Sequence, residues 1–253
     1  MPLHRFFVPP KQIQDGKVSI RGTDVWHIMK VLRLSRGAEV IVFDGTGREY
    51  RVALGDQKRR EIQGTVREEW KRRAESPLHL MLAQGVPKAA KMDVIVQKAT
   101  EIGVNKIVPL QTERADVASR KKNLSQEKSA QKLDRWSRIG VESAKQCRRT
   151  SLPILETFLT IDEFLAQSFS ADLCLLLWEG EQEQRLKSVL RQRTESVKST
   201  ILVVGPEGGF TAEEAQRFTE AGYHSVSLGP RILRTETAGL VALSILQYEF
   251  GDF

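Results

Sequence analysis

Two glycine-containing segments late in the sequence could together form a ligand site. The first, Gly205–Gly209, follows the apolar run Ile201–Val204, and the second, Gly229–Thr237, follows the apolar run Ser225–Leu228. Ligands of open α/β sheets bind beyond the carboxyl ends of the strands, so two such loops predict one shared pocket. The alternative is that both segments are ordinary turns between a strand and a helix.

The residue types in these loops favour a ligand with a cationic or neutral reacting end over a phosphate. The first loop has neither the lysine of a phosphate-binding loop nor the Gly-x-Gly-x-x-Gly spacing of a dinucleotide site. Glu207 would repel a phosphate there, whereas backbone groups exposed by the glycines can hold a purine. In the second loop, Arg231 and Arg234 could stabilise negative charge on another substrate. This combination suggests alkyl transfer from a cationic donor to a nucleic acid base.

The positive charge of the chain is concentrated in two segments. The net charge is +7, and residues 1–73 contain 16 Lys and Arg against 9 Asp and Glu. Residues 114–149 form a second basic segment, with 11 cations against 4 anions. Two basic segments in an otherwise neutral chain predict a polyanionic partner such as a nucleic acid. Solvated charged faces are the alternative explanation for either segment.

The first third of the chain reads mostly as strands and predicts a small β-barrel. Thr23 can cap a helix that runs to about Arg33. The sequence Asp44-Gly45-Thr46-Gly47 separates two alternating runs and predicts a hairpin. A polar segment at 71–77 ends in a proline, and the pattern changes after it. We therefore predict one domain over 1–73 and a second over 74–253.

The second domain alternates strands with helices and predicts an α/β fold, with a parallel sheet covered by helices on both faces. Two capping boxes, at Thr160 and Thr211, mark helix starts. The segment Thr237–Tyr248 is apolar almost all round, which is typical of a core helix or a subunit interface. The predicted strands are 78–83, 106–110, 172–178, 201–204 and 225–228, and the other predicted helices are 88–103, 125–149 and 182–193.

Residues that bind metals or form disulfides are few and scattered. None of the two cysteines and four histidines shows the spacing of a zinc site. We therefore expect no metal and two reduced thiols. Neither a signal peptide nor an apolar run of membrane-spanning length is visible. These features predict a soluble, cytoplasmic protein without a membrane partner.

The motifs in and around the two loops resemble a known family. GPEGGFTAEE and SLGPRILRTETA strongly resemble the SPOUT-class methyltransferases. Within that class the chain is similar to the ribosomal RNA small-subunit methyltransferase E family, which methylates N3 of a uridine in 16S ribosomal RNA. The resemblance covers nearly the whole chain, because it extends to HIMKVLRLSRG, FDGTG, KMDVIVQKATEIGV, VESAKQCRR and LLLWEG.

The resemblance implies a fold, a cofactor and an assembly. Residues 1–73 would be a PUA-like RNA-binding β-barrel, and residues 74–253 a SPOUT α/β domain with a C-terminal trefoil knot. S-adenosyl-L-methionine would bind among the loops after three strands, and the protein would be a homodimer. The cofactor-binding residues implied are Leu177, Gly205, Pro206, Gly208, Gly209, Leu228, Gly229, Arg231, Ile232 and Leu233.

The chemistry of a uridine acceptor indicates roles for two further residues. Loss of the N3 imide proton puts negative charge on the base, which the guanidinium of Arg234 can stabilise. Glu207 is the nearest candidate base by motif, but it could instead orient its loop or face the sulfonium. The alternative for Arg234 is a salt bridge to Glu236 or a place at a helix end.

Two clusters of residues are candidates for docking RNA. We expect this RNA to be 16S ribosomal RNA in the small ribosomal subunit. Two other functions stay open: a related SPOUT enzyme that acts on transfer RNA or another ribosomal site, and an RNA-binding protein without catalysis. The first cluster is His27, Lys30, Arg33 and Arg36, and the second is Arg120, Lys121 and Lys122. For the second cluster, a solvated charged face is an equal alternative.

Overall fold

The chain folds into two units, and the computed structural model describes residues 3–71, 75–115, 125–193 and 195–253. The first unit comprises Met1–Glu75 together with Ala144–Leu152, and the second comprises Ser76–Ser143 and Pro153–Phe253. The predicted boundary between residues 73 and 74 falls outside the described residues, so the domain limits stay a prediction. No sequence signal assigns Ala144–Leu152 to the first unit.

The first unit is built on one six-stranded sheet that holds its own apolar core. The strand order is β1-β4-β5-β6-β3-β2, and the pairings are antiparallel except between β1 and β4. The predicted hairpin at Asp44–Gly47 is confirmed, since it joins β4 to β5. The strands are β1 (Arg5–Phe7), β2 (Ile13–Gln14), β3 (Lys17–Arg21), β4 (Glu39–Phe43), β5 (Arg48–Lys58) and β6 (Glu61–Lys71).

One short helix lies between β3 and β4, as predicted, but it begins differently. Helix α1 (Thr23–Trp26) continues as a π-helical turn over His27–Val31. Gly22 is the N-cap residue and makes no side-chain capping bond, so the prediction that Thr23 caps this helix is wrong. Val25 and Ile28 are buried in the core of the unit, which fixes the side of the helix that faces the sheet.

The second unit contains a parallel sheet, which confirms the predicted α/β architecture. The strand order is β10-β8-β7-β12-β11-β13, with β9 beside β8. Strand β11 therefore lies between β12 and β13, in parallel with both. The strands are β7 (His79–Gly85), β8 (Lys106–Gln111), β9 (Ile154–Leu155), β10 (Leu159–Thr160), β11 (Leu173–Leu177), β12 (Ser199–Val204) and β13 (His224–Val226).

Six helices accompany this sheet, and their buried residues divide between its two faces. One core contains residues of four of them, and the core on the opposite face contains residues of α4 and α6. Successive residues of β12 alternate between these cores, which confirms helices on both faces. The helices are α2 (Lys91–Ile102), α3 (Gln126–Cys147), α4 (Ile161–Ala166), α5 (Leu186–Arg191), α6 (Ala212–Glu220) and α7 (Thr235–Phe250).

Several helix ends form by the predicted local chemistry. Thr160 and Thr211 both make reciprocal capping boxes, with Glu163 and Glu214 as partners. Gly103 ends α2 in the left-handed conformation, where a glycine avoids steric strain. Within the described parts of the chain, no helix is long and apolar enough to cross a membrane.

Candidate active site

A cavity of about 730 Å³ opens at the carboxyl ends of three neighbouring strands, β12, β11 and β13. Three loops surround it: the β11 loop (residues 178–185), the β12 loop (205–210) and the β13 loop (227–234). Its volume lies within the range of sites for small molecules and cofactors. The β12 and β13 loops therefore share one cavity, as the sequence predicts.

Most residues that the sequence analysis assigns to this site line the cavity. Both candidate catalytic residues, Arg234 and Glu207, are among them. Gly208 is the exception, because it does not line the cavity. Its carbonyl oxygen accepts a hydrogen bond from Arg114 Nη1 at 2.9 Å. The predicted cofactor-binding residues that line the cavity are Leu177, Gly205, Pro206, Gly209, Leu228, Gly229, Arg231, Ile232 and Leu233.

Tight packing against the β11 loop determines the shape of the β12 loop. Gly209 N–H donates to Pro206 O at 3.0 Å, which closes a turn. Gly209 has a positive φ of 65°, and a Cβ at this position would overlap the carboxylate of Glu179. A larger residue at 209 would therefore both strain the backbone and displace an acidic group from the cavity.

A buried amide holds the β12 loop against the start of α7. Gln84, at the end of β7, is fully buried, and its Nε2 donates to Gly205 O at 3.1 Å and to Thr235 Oγ1 at 3.0 Å. The Thr235 hydroxyl in turn donates to Gly205 O at 2.5 Å. These bonds fix the position of Thr235 and hence of its neighbour, Arg234.

Arg234 occupies the N-cap position of α7 through its backbone. Its carbonyl oxygen accepts hydrogen bonds from the N–H groups of Thr237 and Ala238, both at 2.8 Å. Of the two predicted alternatives, the place at a helix end is observed, whereas the salt bridge to Glu236 is not formed, and Glu236 pairs with Lys91 at 3.4 Å. In the described part of the chain, neither Arg231 nor Arg234 lies within ion-pair distance of a carboxylate. Both exposed guanidinium groups are therefore available to a ligand.

Glu207 is bound by one donor just before α2 and one at its first residue. Its carboxylate accepts from the backbone N–H of Lys88 at 3.1 Å and pairs with Lys91 Nζ at 3.0 Å. Burial alone would raise the pKa of Glu207, but these and its other hydrogen bonds outweigh burial and lower that pKa. The hydrogen bond from Lys91 to Glu207 raises the pKa of Lys91. A carboxylate held in this way is a weak proton acceptor and orients its loop.

Acidic groups of the β11 loop line the same cavity as these cations. Glu179 and Glu181 both line it. Burial would raise the pKa of Glu181, but hydrogen bonds from the N–H groups of Gln184 and Glu183 outweigh this effect and lower the pKa. The Ser227 N–H donates to Gln184 O at 2.9 Å, which joins the β11 and β13 loops. The cavity is thus lined by carboxylates and by guanidinium groups.

Sequence reasoning missed several residues of this site. Glu179 is the second residue after β11, and its place just beyond a strand end was the available signal. Lys91 and Gln84 gave no such signal, because Lys91 reaches the cavity from α2 and Gln84 reaches Gly205 from β7, both far away in sequence. The described residues contain no cluster of three or more potential metal ligands.

The residues predicted to dock RNA belong to the first unit or lie outside the described residues. Those of the first unit are all exposed, and one of them, Arg36, forms an exposed ion pair with Asp56 at 2.9 Å. Arg120, Lys121 and Lys122 fall in the part of the chain that the structure does not describe. Both sets stay predictions.

Comparison with protein families identifies the class to which both units belong. The model of the RNA methyltransferase domain matches residues 74–247, and the model of the RNA methyltransferase PUA domain matches residues 20–67. The first match covers more than half of the chain and includes every loop around the cavity. The protein is therefore an RNA methyltransferase with a PUA domain.

Individual relatives narrow this class. The ribosomal RNA small subunit methyltransferase E of Bacillus subtilis is 32% identical, and the match covers 98% of this chain and 97% of that protein. The solved structure of such an enzyme from Neisseria gonorrhoeae, bound to S-adenosyl methionine, is 29% identical with a TM-score of 0.85 and covers 99% of each chain. A Legionella pneumophila methyltransferase in complex with its cofactor SAM is 31% identical, covers 100% of both chains and has a TM-score of 0.88. The chain belongs to the ribosomal RNA small subunit methyltransferase E family.

These findings confirm the family, the enzyme class and the fold that the sequence motifs predict. The predicted trefoil knot stays a prediction, since none of these comparisons tests the threading of the chain. The individual residue roles are likewise untested by the relatives and are treated as proposals.

Proposed function

We propose that this protein transfers a methyl group from S-adenosyl-L-methionine to N3 of a uridine in 16S ribosomal RNA. The observation that carries the proposal is the cavity at the ends of β11, β12 and β13, which is lined by Glu179 and Glu181 and by Arg231 and Arg234. A sulfonium donor is cationic, and a deprotonated uracil is anionic, so a cavity with both carboxylates and guanidinium groups suits the two reactants. Membership of the family supports the choice of donor and acceptor.

The residues around the cavity fit this cofactor. Backbone groups of the β12 and β13 loops would hold the adenine, which the glycines allow to approach closely. Glu179 and Glu181 would face the cationic methionine portion, because both acidic residues line the cavity. When bound, the cofactor supplies an activated methyl group on its sulfonium.

Arg234 would stabilise the acceptor base. Loss of the N3 proton spreads negative charge over N3, O2 and O4 of uracil, and a guanidinium can donate two hydrogen bonds to such a group. The backbone of Arg234 is fixed by the N-terminal turn of α7, while its side chain is exposed and without an ion-pair partner in the described chain. This arrangement supports positioning of N3 in line with the methyl group.

Glu207 would keep the β12 loop in place. Its bonds to Lys88 N–H and Lys91 and its lowered pKa favour the orienting role over the role of base. The proton acceptor for N3 therefore has no assigned residue in this proposal.

A basic surface of the first unit would bind the phosphates of the RNA. His27, Lys30, Arg33 and Arg36 lie on or just after α1 and its π-helical turn, and all four are exposed. Arg120, Lys121 and Lys122 are a second predicted contact. RNA affinity should then fall steeply as the salt concentration rises.

We further propose that the protein is a homodimer in the cytoplasm and acts on the small ribosomal subunit. Helix α7 supports the dimer, since Val241, Ile245 and Tyr248 expose apolar surface at spacings of four and three residues along one face. A second copy of this chain would cover that face. The cytoplasmic location follows from the proposed substrate.

Two measurements test the proposal. Mapping of modified uridines in 16S ribosomal RNA from cells that lack the protein should reveal one missing N3-methyluridine, which the purified protein should restore with S-adenosyl-L-methionine. Calorimetry should detect binding of S-adenosyl-L-methionine to the protein alone. A methylated product that forms on transfer RNA instead would contradict the proposed acceptor. Absence of cofactor binding would contradict the proposed methyltransferase activity.

A further inference from the structure

The outer side of α1 and its π-helical turn exposes apolar surface. Trp26 is 64% exposed and Val31 is 51% exposed, whereas Val25 and Ile28 on the inner side are buried. Trp26 contributes nothing to the core, so packing does not explain a large aromatic side chain there. An exposed indole without a structural role indicates a binding surface.

The cations beside Trp26 lack acidic partners. Lys30 lies four residues after Trp26 and therefore next to it on the helix surface. In the described chain, neither Lys30 nor Arg33 forms an ion pair. Asp24, the acidic residue of this helix, is paired with Lys145 at 3.0 Å, so its charge is compensated. The exposed charge near Trp26 is thus positive.

The backbone conformation at the end of this helix is unfavourable for Arg33, the residue that adopts it. Leu32 N–H donates to His27 O at 2.9 Å and Leu34 N–H to Ile28 O at 3.1 Å, which closes the helix around Arg33. Arg33 has a φ of 51°, in the left-handed region where glycine is normally found. A strained conformation at an exposed, unpaired arginine favours a function for its side chain.

We propose that Trp26, Lys30, Val31 and Arg33, here called the stacking surface, bind single-stranded RNA. A base would stack on the indole of Trp26, and neighbouring phosphates would lie against Lys30 and Arg33. The proposal rests on the proposed function, because it assumes that RNA is the substrate, and it identifies unpaired nucleotides as what the first unit recognises.

The chemistry of the surface favours single strands over duplexes and over proteins. Bases inside a duplex are already stacked, so an exposed indole can add a stacking contact only with an unpaired base. An apolar protein partner would not require unpaired cations near the indole. Binding of a single strand should depend both on the aromatic ring and on salt.

The first test separates the ring from the charge. We expect Trp26→Ala to weaken binding of a fluorescein-labelled oligouridylate about tenfold at constant salt, with Trp26→Phe close to the original protein, because phenylalanine keeps a stacking face. Leu3→Ala is the matched control, since Leu3 is another exposed apolar residue of the first unit. Fluorescence anisotropy gives the affinities, and melting temperatures should be unchanged because Trp26 is exposed.

The second test uses the strained position. Arg33→Gly should raise the melting temperature, because glycine adopts this φ without strain. It should also weaken RNA binding and lower the slope of affinity against salt by roughly 0.7, the value for one phosphate contact of a single strand. Lys17→Ala removes one exposed charge from the same unit and should leave the affinity unchanged.

The outcomes distinguish this inference from the proposed function. If the unaltered protein binds neither oligouridylate nor naked 16S ribosomal RNA and methylates no RNA, the proposed function fails. If it binds and methylates RNA while Trp26→Ala and Arg33→Gly bind as tightly as the unaltered protein, the stacking surface is wrong. Equal losses for a fully paired RNA duplex would also overturn it, because a duplex has no base to stack on Trp26.

Discussion

The molecule contains two groups of charged residues with opposite properties, one in each unit. In the first unit, Arg149 donates to Glu75 at 2.7 Å, Arg5 pairs with Glu49, and Trp70 Nε1 donates to Glu49 at 3.0 Å. These side chains are largely buried and satisfy one another. Around the cavity of the second unit, the guanidinium groups of Arg231 and Arg234 are exposed and unpaired within the described chain.

The difference teaches how to separate structural from functional charges. A buried charge must be paired, since desolvation without a partner costs several kcal/mol. An exposed arginine whose backbone is rigidly held, as in Arg234, can keep its donors for a substrate. Lys91 lies between these extremes, because it is partly exposed and yet pairs with two carboxylates. Four predictions follow from this contrast.

The largest effect is expected at Arg234. Arg234→Ala should lower turnover about 100- to 1,000-fold, because it removes donors that stabilise the developing charge on the base. Binding of S-adenosyl-L-methionine and the melting temperature should be nearly unchanged. Methyl transfer from labelled cofactor gives the rate, and Arg191→Ala, at an exposed arginine outside the cavity, is the control. Near-normal turnover would remove Arg234 from the mechanism.

Substitution of Arg149 should show the reverse behaviour, with its main effect on stability. Arg149→Met should lower the free energy of unfolding by about 3 kcal/mol, since it breaks a buried pair and leaves Glu75 without its cation. Denaturation with urea measures the change. The control is Arg48→Met, because the Arg48–Glu69 pair is exposed and its loss should cost roughly 0.5 kcal/mol. Equal losses in both variants would show that burial does not distinguish these pairs.

Substitution of Lys91 should lower turnover without unfolding the protein. Lys91→Met should lower turnover about 10- to 100-fold, because the β12 loop and the start of α7 lose their shared cation and shift relative to the cofactor. Lys91→Arg should recover much of the activity. On the same helix, Lys98 pairs with Glu101 outside the cavity, so Lys98→Met is the matched control. The idea fails if both methionine variants keep full activity.

The smallest effect is a pH dependence from Glu207. Its pKa is lowered in the folded protein, so its contribution to stability is fully present above the ordinary value of 4.5 and is lost as pH falls through the folded value. Glu207→Gln should reduce the loss of stability on acidification, as measured by thermal melting at a series of pH values. The same variant should retain turnover at neutral pH, whereas a catalytic base at 207 would make it inactive.

Local signals in the sequence were sufficient for much of the fold. The capping boxes at Thr160 and Thr211 and the hairpin at Asp44–Gly47 depend on residues a few positions apart, and all three are confirmed. The prediction that Thr23 caps α1 is wrong, because the preceding Gly22, with its positive φ, takes the N-cap position. The motifs also placed the β12 and β13 loops correctly, because each directly follows its strand.

The residues that complete the site could not be predicted by such reasoning. Lys91 meets Glu207 and Glu236 only after α2 packs beside α7, and Gln84 reaches the β12 loop from a different strand. Their residue types are common, and only the tertiary fold brings them together. The pairing of Glu236 with Lys91, which leaves Arg234 without that partner, is also a tertiary effect.

The buried amide of Gln84 has a consequence for the order in which the protein forms. Its bonds join residues 121 and 151 positions apart, so the cavity depends on closing some of the longest loops in the chain. Contacts of this kind form slowly, because their entropic cost precedes their benefit. The same closure pairs β7 with β12, because Gln84 lies beside Val204 in the sheet, so the sheet and the cavity close together. The place for a methyl donor is complete once α7 docks and Thr235 meets Gly205.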